Sequence, residues 1–189
     1  MTVLCALDLS INSPGIAILE VIDIDNLTFK VISKVSFKHD RKYDNSWAKK
    51  EAVLEMFEFY MAQYINLIDF CVFENYSYSS PGYLADAGEL NGLIKHYLFQ
   101  NSIPFDFVSP QTVKRLVGGS GKCSKEDVRA GLSNFVLDFD NLSFNNFDES
   151  DAIAIGVSFL LFQKEIANGA HDANKSKKRT KKRKDIKHS

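Results

Sequence analysis

Residues 3–22 read VLCALDLSINSPGIAILEVI. Two apolar runs, residues 3–9 and 15–22, flank the turn formers Asn12, Ser13, Pro14 and Gly15, and the first run carries an aspartate, Asp8, near its end. Short apolar runs bounded by such residues predict strands. A third follows, because residues 27–37 alternate with β-branched side chains after turn residues Asp25 and Asn26. Three consecutive strands with short turns predict an antiparallel meander.

Beyond the polar stretch KHDRKYDNS (38–46), Asp44, Asn45 or Ser46 can cap a helix in which Leu54, Phe57, Met61, Tyr64, Ile65 and Ile68 recur at three and four. FCVFE (70–74) is wholly apolar up to its terminal Glu74, the pattern of a central strand buried on both faces. A second helix is expected from about Leu84 to Gln100 and a fifth strand over residues 104–108. Pro110 can open a short helix, GGSGKCS (118–124) reads as a glycine-rich loop, and Ser124 begins another helical segment. After NLSFNNF (141–147), the apolar positions Ile153, Val157, Leu160, Leu161 and Ile166 predict a final helix packed on the sheet. The order βββαβαβ followed by helices defines an α/β fold, a five-stranded mixed sheet with helices on both faces.

The 189 residues, 45% of them hydrophobic, suffice for one domain with a full core. No apolar run reaches the length of a membrane helix, and Asp8 interrupts the only signal-like stretch, so neither membrane association nor export is expected. Cys5, Cys71 and Cys123 are odd in number and far apart, which predicts reduced thiols in a cytoplasmic compartment and no zinc site. The net charge of −1 hides a division. Residues 174–189 carry nine Lys or Arg and one Asp, leaving the rest of the chain at net −9. The run KSKKRTKKRK (175–184) has nothing to bury and is expected to be a disordered arm, residues 171–189, attached to a domain of residues 1–170. Its partner is nucleic acid, or else the arm serves solubility or localisation.

Asp8 ends the first strand, Glu74 ends the fourth, and Asp148 and Asp151 stand three apart on the first turn of the last helix, where they share a face. Singly, each has a structural reading: a turn cap for Asp8, a satisfied strand-end acid for Glu74, a complement to the helix dipole for the last two. Converging at one sheet edge, four carboxylates would repel, and hard divalent ions such as Mg²⁺ or Mn²⁺ relieve that repulsion. Two such ions about 3.5 to 4 Å apart support phosphodiester hydrolysis.

In this order, LDLSINSPGIAIL (7–19), VFENY (72–76) and DESDAIAIG (148–156) resemble the motifs of the RuvC-type Holliday junction resolvases of the RNase H-like superfamily, phage-encoded members included. SPQTVKRLVGGSGKCSKEDVRAGL (109–132) resembles the family's basic stretch around a glycine-containing loop, with Lys114 and Lys125 in matching positions. LADAGELNGLIKHYLFQ (84–100), with Gly88 and Gly92, is similar to its dimer helix. The resemblance covers about residues 3–165 and implies an RNase H-like fold. It also implies Asp8, Glu74, Asp148 and Asp151 as metal-binding catalytic acids with two Mg²⁺, or Mn²⁺ in substitution, per site. The implied activity is that of a crossover junction endodeoxyribonuclease: a homodimer, in a bacterial or phage-infected cell, nicking a four-way junction symmetrically to leave 5′-phosphate and 3′-hydroxyl ends, with no small-molecule cofactor. Two departures bear on substrate range: Tyr76 and Tyr78 stand near the family's aromatic wedge without a clear match, and the basic C-terminal arm is not a regular family feature.

The residues themselves point the same way. Lys114, Arg115, Lys122, Lys125 and Arg129 place five basic side chains within sixteen residues beside Gly118, Gly119 and Gly121, a candidate phosphate clamp or a solvated helix face. Tyr76, Tyr78 and Tyr83 are suited either to stacking on unpaired bases or to packing and dimer contact. Rival functions are an ATPase of the same superfold, for which the chain is short, a non-catalytic nucleic-acid-binding module, and a nuclease acting on RNA or other branched nucleic acid.

Overall fold

The structure, a computed structural model, describes residues 2–38, 43, 45–75 and 81–185; side chains are described for these except residues 81–83 and those beyond Gly169. Five strands, β1 (Thr2–Asp8), β2 (Gly15–Asp23), β3 (Thr28–Ser36), β4 (Phe70–Glu74) and β5 (Phe105–Val108), form one sheet in the order β3-β2-β1-β4-β5. The β1–β2 and β2–β3 pairs are antiparallel, as the meander predicts, whereas β4 and β5 run parallel to β1.

Alternation along the strands sends side chains to two separate cores. Val3, Cys5 and Leu7 of β1, with Ile16 and Ile18 of β2 and Cys71 and Phe73 of β4, pack under α1 (Ser46–Met61) and α2 (Pro81–Gln100). Leu4 and Ala6, with Ala17, Leu19 and Val72, face α3 (Pro110–Val117), α4 (Lys125–Gly131) and α5 (Phe147–Asp185). The central strands are therefore buried on both faces, which is why FCVFE carries no polar alternation. Asp8 and Glu74 continue the parity of Leu4, Ala6 and Val72, so both belong to the α5 face.

Helix α5 lies close to the sheet because small residues meet there. A Cβ on Gly156 would fall 2.5 Å from Leu19 Cδ1 and 3.1 Å from the Cβ of Ala6, so any larger residue at 156 has to lift the helix. On α2, Leu90, Ile94 and Leu98 are fully buried, and nothing lies within 4 Å of where a Cβ would stand on Gly88 or Gly92.

Element bounds differ from the sequence reading in a few places. Asn45, among the three proposed caps, is the one that accepts from Ala48 N (2.9 Å), and α1 stops at Met61. Tyr64 and Ile65 thus lie beyond the helix in turns, and Ile68 in the link to β4, all three packed onto the same core. Helix α2 starts at Pro81, three residues earlier than expected, because proline is well placed in a first turn. The backbone of α5 continues as helix to Asp185. The stretch before α5 is held by backbone bonds of residues 135–137 to Phe29 at the free edge of β3 (Phe29 N to Phe135 O and Leu137 N to Phe29 O, both 2.8 Å). Among the described residues no helix is long and apolar enough to cross a membrane.

Candidate active site

β1 and β4 run in parallel register, Leu7 opposite Phe73, so the next position sets Asp8 beside Glu74 at the C-terminal ends of adjacent strands. The N-terminus of α5 arrives at the same place. Gly15, paired with Asp8 across β1 and β2, admits it: a Cβ there would stand 2.1 Å from the Asp148 carbonyl oxygen. Ser13, in the same turn, donates its hydroxyl to Asp148 Oδ2. Asp8, Glu74, Asp148 and Asp151 line one cleft of about 350 Å³ together with Ser10, Pro110, Val113, Val128 and two lysines, Lys114 and Lys125.

Oxygens of Asp8, Asp148 and Asp151 lie within 4.8 Å of one another. The electrostatic consequence is strong. Burial first, then the charges of Glu74, Asp151 and Asp148, push the Asp8 carboxyl up to about 8 against the opposing pull of Lys125. Glu74 is pushed up to about 7 by burial and by Asp151, with Lys125 and Lys114 opposing. Asp151 is raised by burial despite accepting from Lys125. Such a cluster carries more negative charge than its lysines neutralise. Its donors are hard carboxylate oxygens without His or Cys, so the residues fit a hard divalent cation.

Of the remaining basic residues read from the sequence, Lys122 is exposed and does not line the cleft. Arg115 is turned to Glu165 on α5 through two bonds of 2.9 and 2.8 Å. Arg129 lies over the rings of Phe147 (4.1 Å) and Phe144 (5.0 Å) and donates to Asn146 O (2.6 Å) and Ser150 Oγ (3.2 Å). It clamps the start of α5. Gly118 is a packing glycine, since a Cβ there would fall 2.3 Å from Cys123 Sγ, while Gly119 holds a φ of +81° that favours glycine. Tyr76 and Tyr78 lie outside the described residues, as does the side chain of Tyr83.

Glu149, between the two α5 aspartates, points elsewhere. It is buried, pairs with Lys34 of β3, and accepts from Asn145 through both side chain (2.7 Å) and backbone (3.2 Å). Burial raises its carboxyl, but the Lys34 and Asn145 bonds outweigh that and hold it below the ordinary range. Nothing in DESD as a string distinguishes this acid from its neighbours; the helix phase does. Lys34→Met would strand the carboxylate and is expected to cost about 3 kcal/mol in urea unfolding, with Lys34→Met/Glu149→Gln recovering most of it. A single variant as stable as wild type would show that the pair does not hold α5.

No family model matches the chain, and no curated protein does. Solved structures do. Thermus thermophilus RuvC superposes with a TM-score of 0.71 at 15% identity, covering 87% of this chain and 96% of that one. The yeast mitochondrial Holliday junction resolvase Ydc2 gives 0.62 at 11% identity over 88% and 81%. Fowlpox virus resolvase, solved with substrate Holliday junction DNA, gives 0.56 at 17% over 86% and 99%. The chain therefore has the RNase H-like fold of the RuvC-type resolvases, as its three motifs imply. These neighbours come from a bacterium, a poxvirus and yeast mitochondria, which lends the phage origin no support.

Proposed function

We propose that the chain is a metal-dependent, structure-selective endonuclease that resolves Holliday and other branched DNA junctions in the cytoplasm by paired symmetric nicks, leaving 5′-phosphate and 3′-hydroxyl ends. The observation that carries this reading is the convergence of Asp8, Glu74, Asp148 and Asp151, from three distant stretches, with Lys114 and Lys125 in one cleft. It does so on the fold of RuvC and of a resolvase solved on junction DNA.

Asp8, Glu74, Asp148 and Asp151 are then the catalytic acids, holding two Mg²⁺ or Mn²⁺ per site. Bound there, such ions supply a polarised water and charge stabilisation for the leaving oxygen. The chain's own residues do the rest. Gly15 and Ser13 seat Asp148, Arg129 and the Lys34–Glu149 pair hold the phase of α5, and Lys114 and Lys125 meet the phosphate backbone on the rim. The open surface at Gly88 and Gly92 on α2 supports a homodimer matching the two-fold symmetry of a junction. The basic arm from residue 171 adds affinity without selectivity.

The test is cleavage of synthetic four-way junction, Y-fork, duplex and RNA:DNA hybrid, with and without Mg²⁺ or Mn²⁺, alongside sedimentation. Paired nicks on the junction that need metal, from a dimer, are expected. Equal cutting of hybrid and junction by a monomer would replace the reading with an RNA-directed nuclease.

A further inference from the structure

Among the described residues, Lys125 is the basic side chain that forms an ion pair with the acidic cluster, its Nζ donating to Asp151 Oδ2. It stands at the first position of α4, whose start is locked by a reciprocal cap: Ser124 Oγ accepts from Asp127 N (3.1 Å) and Asp127 Oδ2 accepts from Ser124 N (2.9 Å). The base of the side chain is fixed, while 55% of the side chain is exposed, so the ammonium has room to swing. Asp151 is also one of the three acids whose oxygens converge. An oxygen accepting from an ammonium and binding a divalent cation at once would hold two like charges a few ångströms apart, so the two occupants compete.

We infer that Lys125 is an exchangeable occupant of the metal site: its ammonium neutralises Asp151 while the site lacks metal, is displaced when a divalent cation binds, and is thereby released toward substrate phosphate. The inference rests on the nuclease reading for its phosphate step, but not for the exchange itself. Lys114 provides the contrast. It lines the same cleft but acts only through space, on Glu74 and not on Asp151, with no ion pair among the described residues.

The exchange is tested by Mn²⁺ titration calorimetry on the full chain without DNA. Lys125→Met is expected to bind Mn²⁺ roughly tenfold tighter than wild type, because a competing unit charge is removed from the ligand oxygen itself. Lys125→Gln is to show the same gain, and Lys114→Met no more than about threefold, its charge being further off and partly screened. Single-turnover cleavage of a four-way junction at saturating Mn²⁺ should nevertheless be slower in Lys125→Met, separating metal affinity from rate. Unchanged or weaker Mn²⁺ binding by both Lys125 variants overturns the inference, as does an equal gain in Lys114→Met. A wild-type chain that binds Mn²⁺ without cutting junctions, while the Lys125 variants bind it tighter, sinks the nuclease reading and leaves the exchange standing.

Discussion

Glu74→Gln is expected to bind a four-way junction with near wild-type affinity and to cut it at least about 10³-fold more slowly, since acids that act as one unit lose most of the activity when any member is removed. The amide keeps the shape of the side chain at the end of β4, so the fold has no reason to change. It removes a charge from a site where burial and Asp151 already push the Glu74 carboxyl up to about 7. Thermal stability without metal should therefore hold or rise. Gel-shift binding and single-turnover cleavage on one junction, read together, decide it. Cleavage at the wild-type rate would remove Glu74 from the catalytic group.

The second large effect is on stability and follows from Asp8. Its carboxyl rises from 3.8 to about 8, so between those values the folded, metal-free chain holds a proton that the unfolded chain has released. Stability falls with pH wherever the folded state binds more protons, so the loss accumulates as pH climbs from about 4 to about 8 and is absent below that window. Asp8 borders an open cleft, and part of its rise comes from the charge of Glu74, whose own carboxyl is pushed up to about 7, so the change is discounted to about 2 to 4 kcal/mol from the 1.36 kcal/mol that each unit represents. Urea unfolding in EDTA at pH 5 and pH 8 should show this decline. Asp8→Asn should flatten it and be the more stable chain at pH 8, and millimolar Mg²⁺ should restore the wild type at pH 8. A wild-type chain equally stable at both pH values in EDTA would mean the carboxylates are already neutralised from within.

Two kinds of information about this protein separate cleanly. Periodicity was enough for the meander, the doubly buried β4, the covering helices and the sheet they make, because burial on one face or two writes itself directly into strand and helix patterning. Asp8 and Glu74 stand out for a related reason, because an acid inside an apolar strand is expensive to bury, whereas Asp148 and Asp151 precede their apolar run and are marked only by their spacing on one helix turn and by the resemblance. Helix ends were less visible, since the apolar spacing through Ile68 persists after α1 has stopped at Met61 and merely continues in turns and the link to β4, against the same core.

What a basic or acidic side chain does with its charge was decided only by packing. Lys114 and Lys125 reach the cleft, while Arg115 is taken by Glu165 and Arg129 by the backbone and rings ahead of α5, although all four come from one stretch of sixteen residues. Glu149 has the composition of a ligand and the position of a structural anchor, because Lys34 lies 115 residues away in sequence and beside it in space. Ser13 and Gly15 read as ordinary turn residues until the start of α5 is laid against them. Local pattern reports how much of a side chain must be hidden; which partner satisfies its charge depends on chain segments that only the closed sheet and the seated last helix bring together.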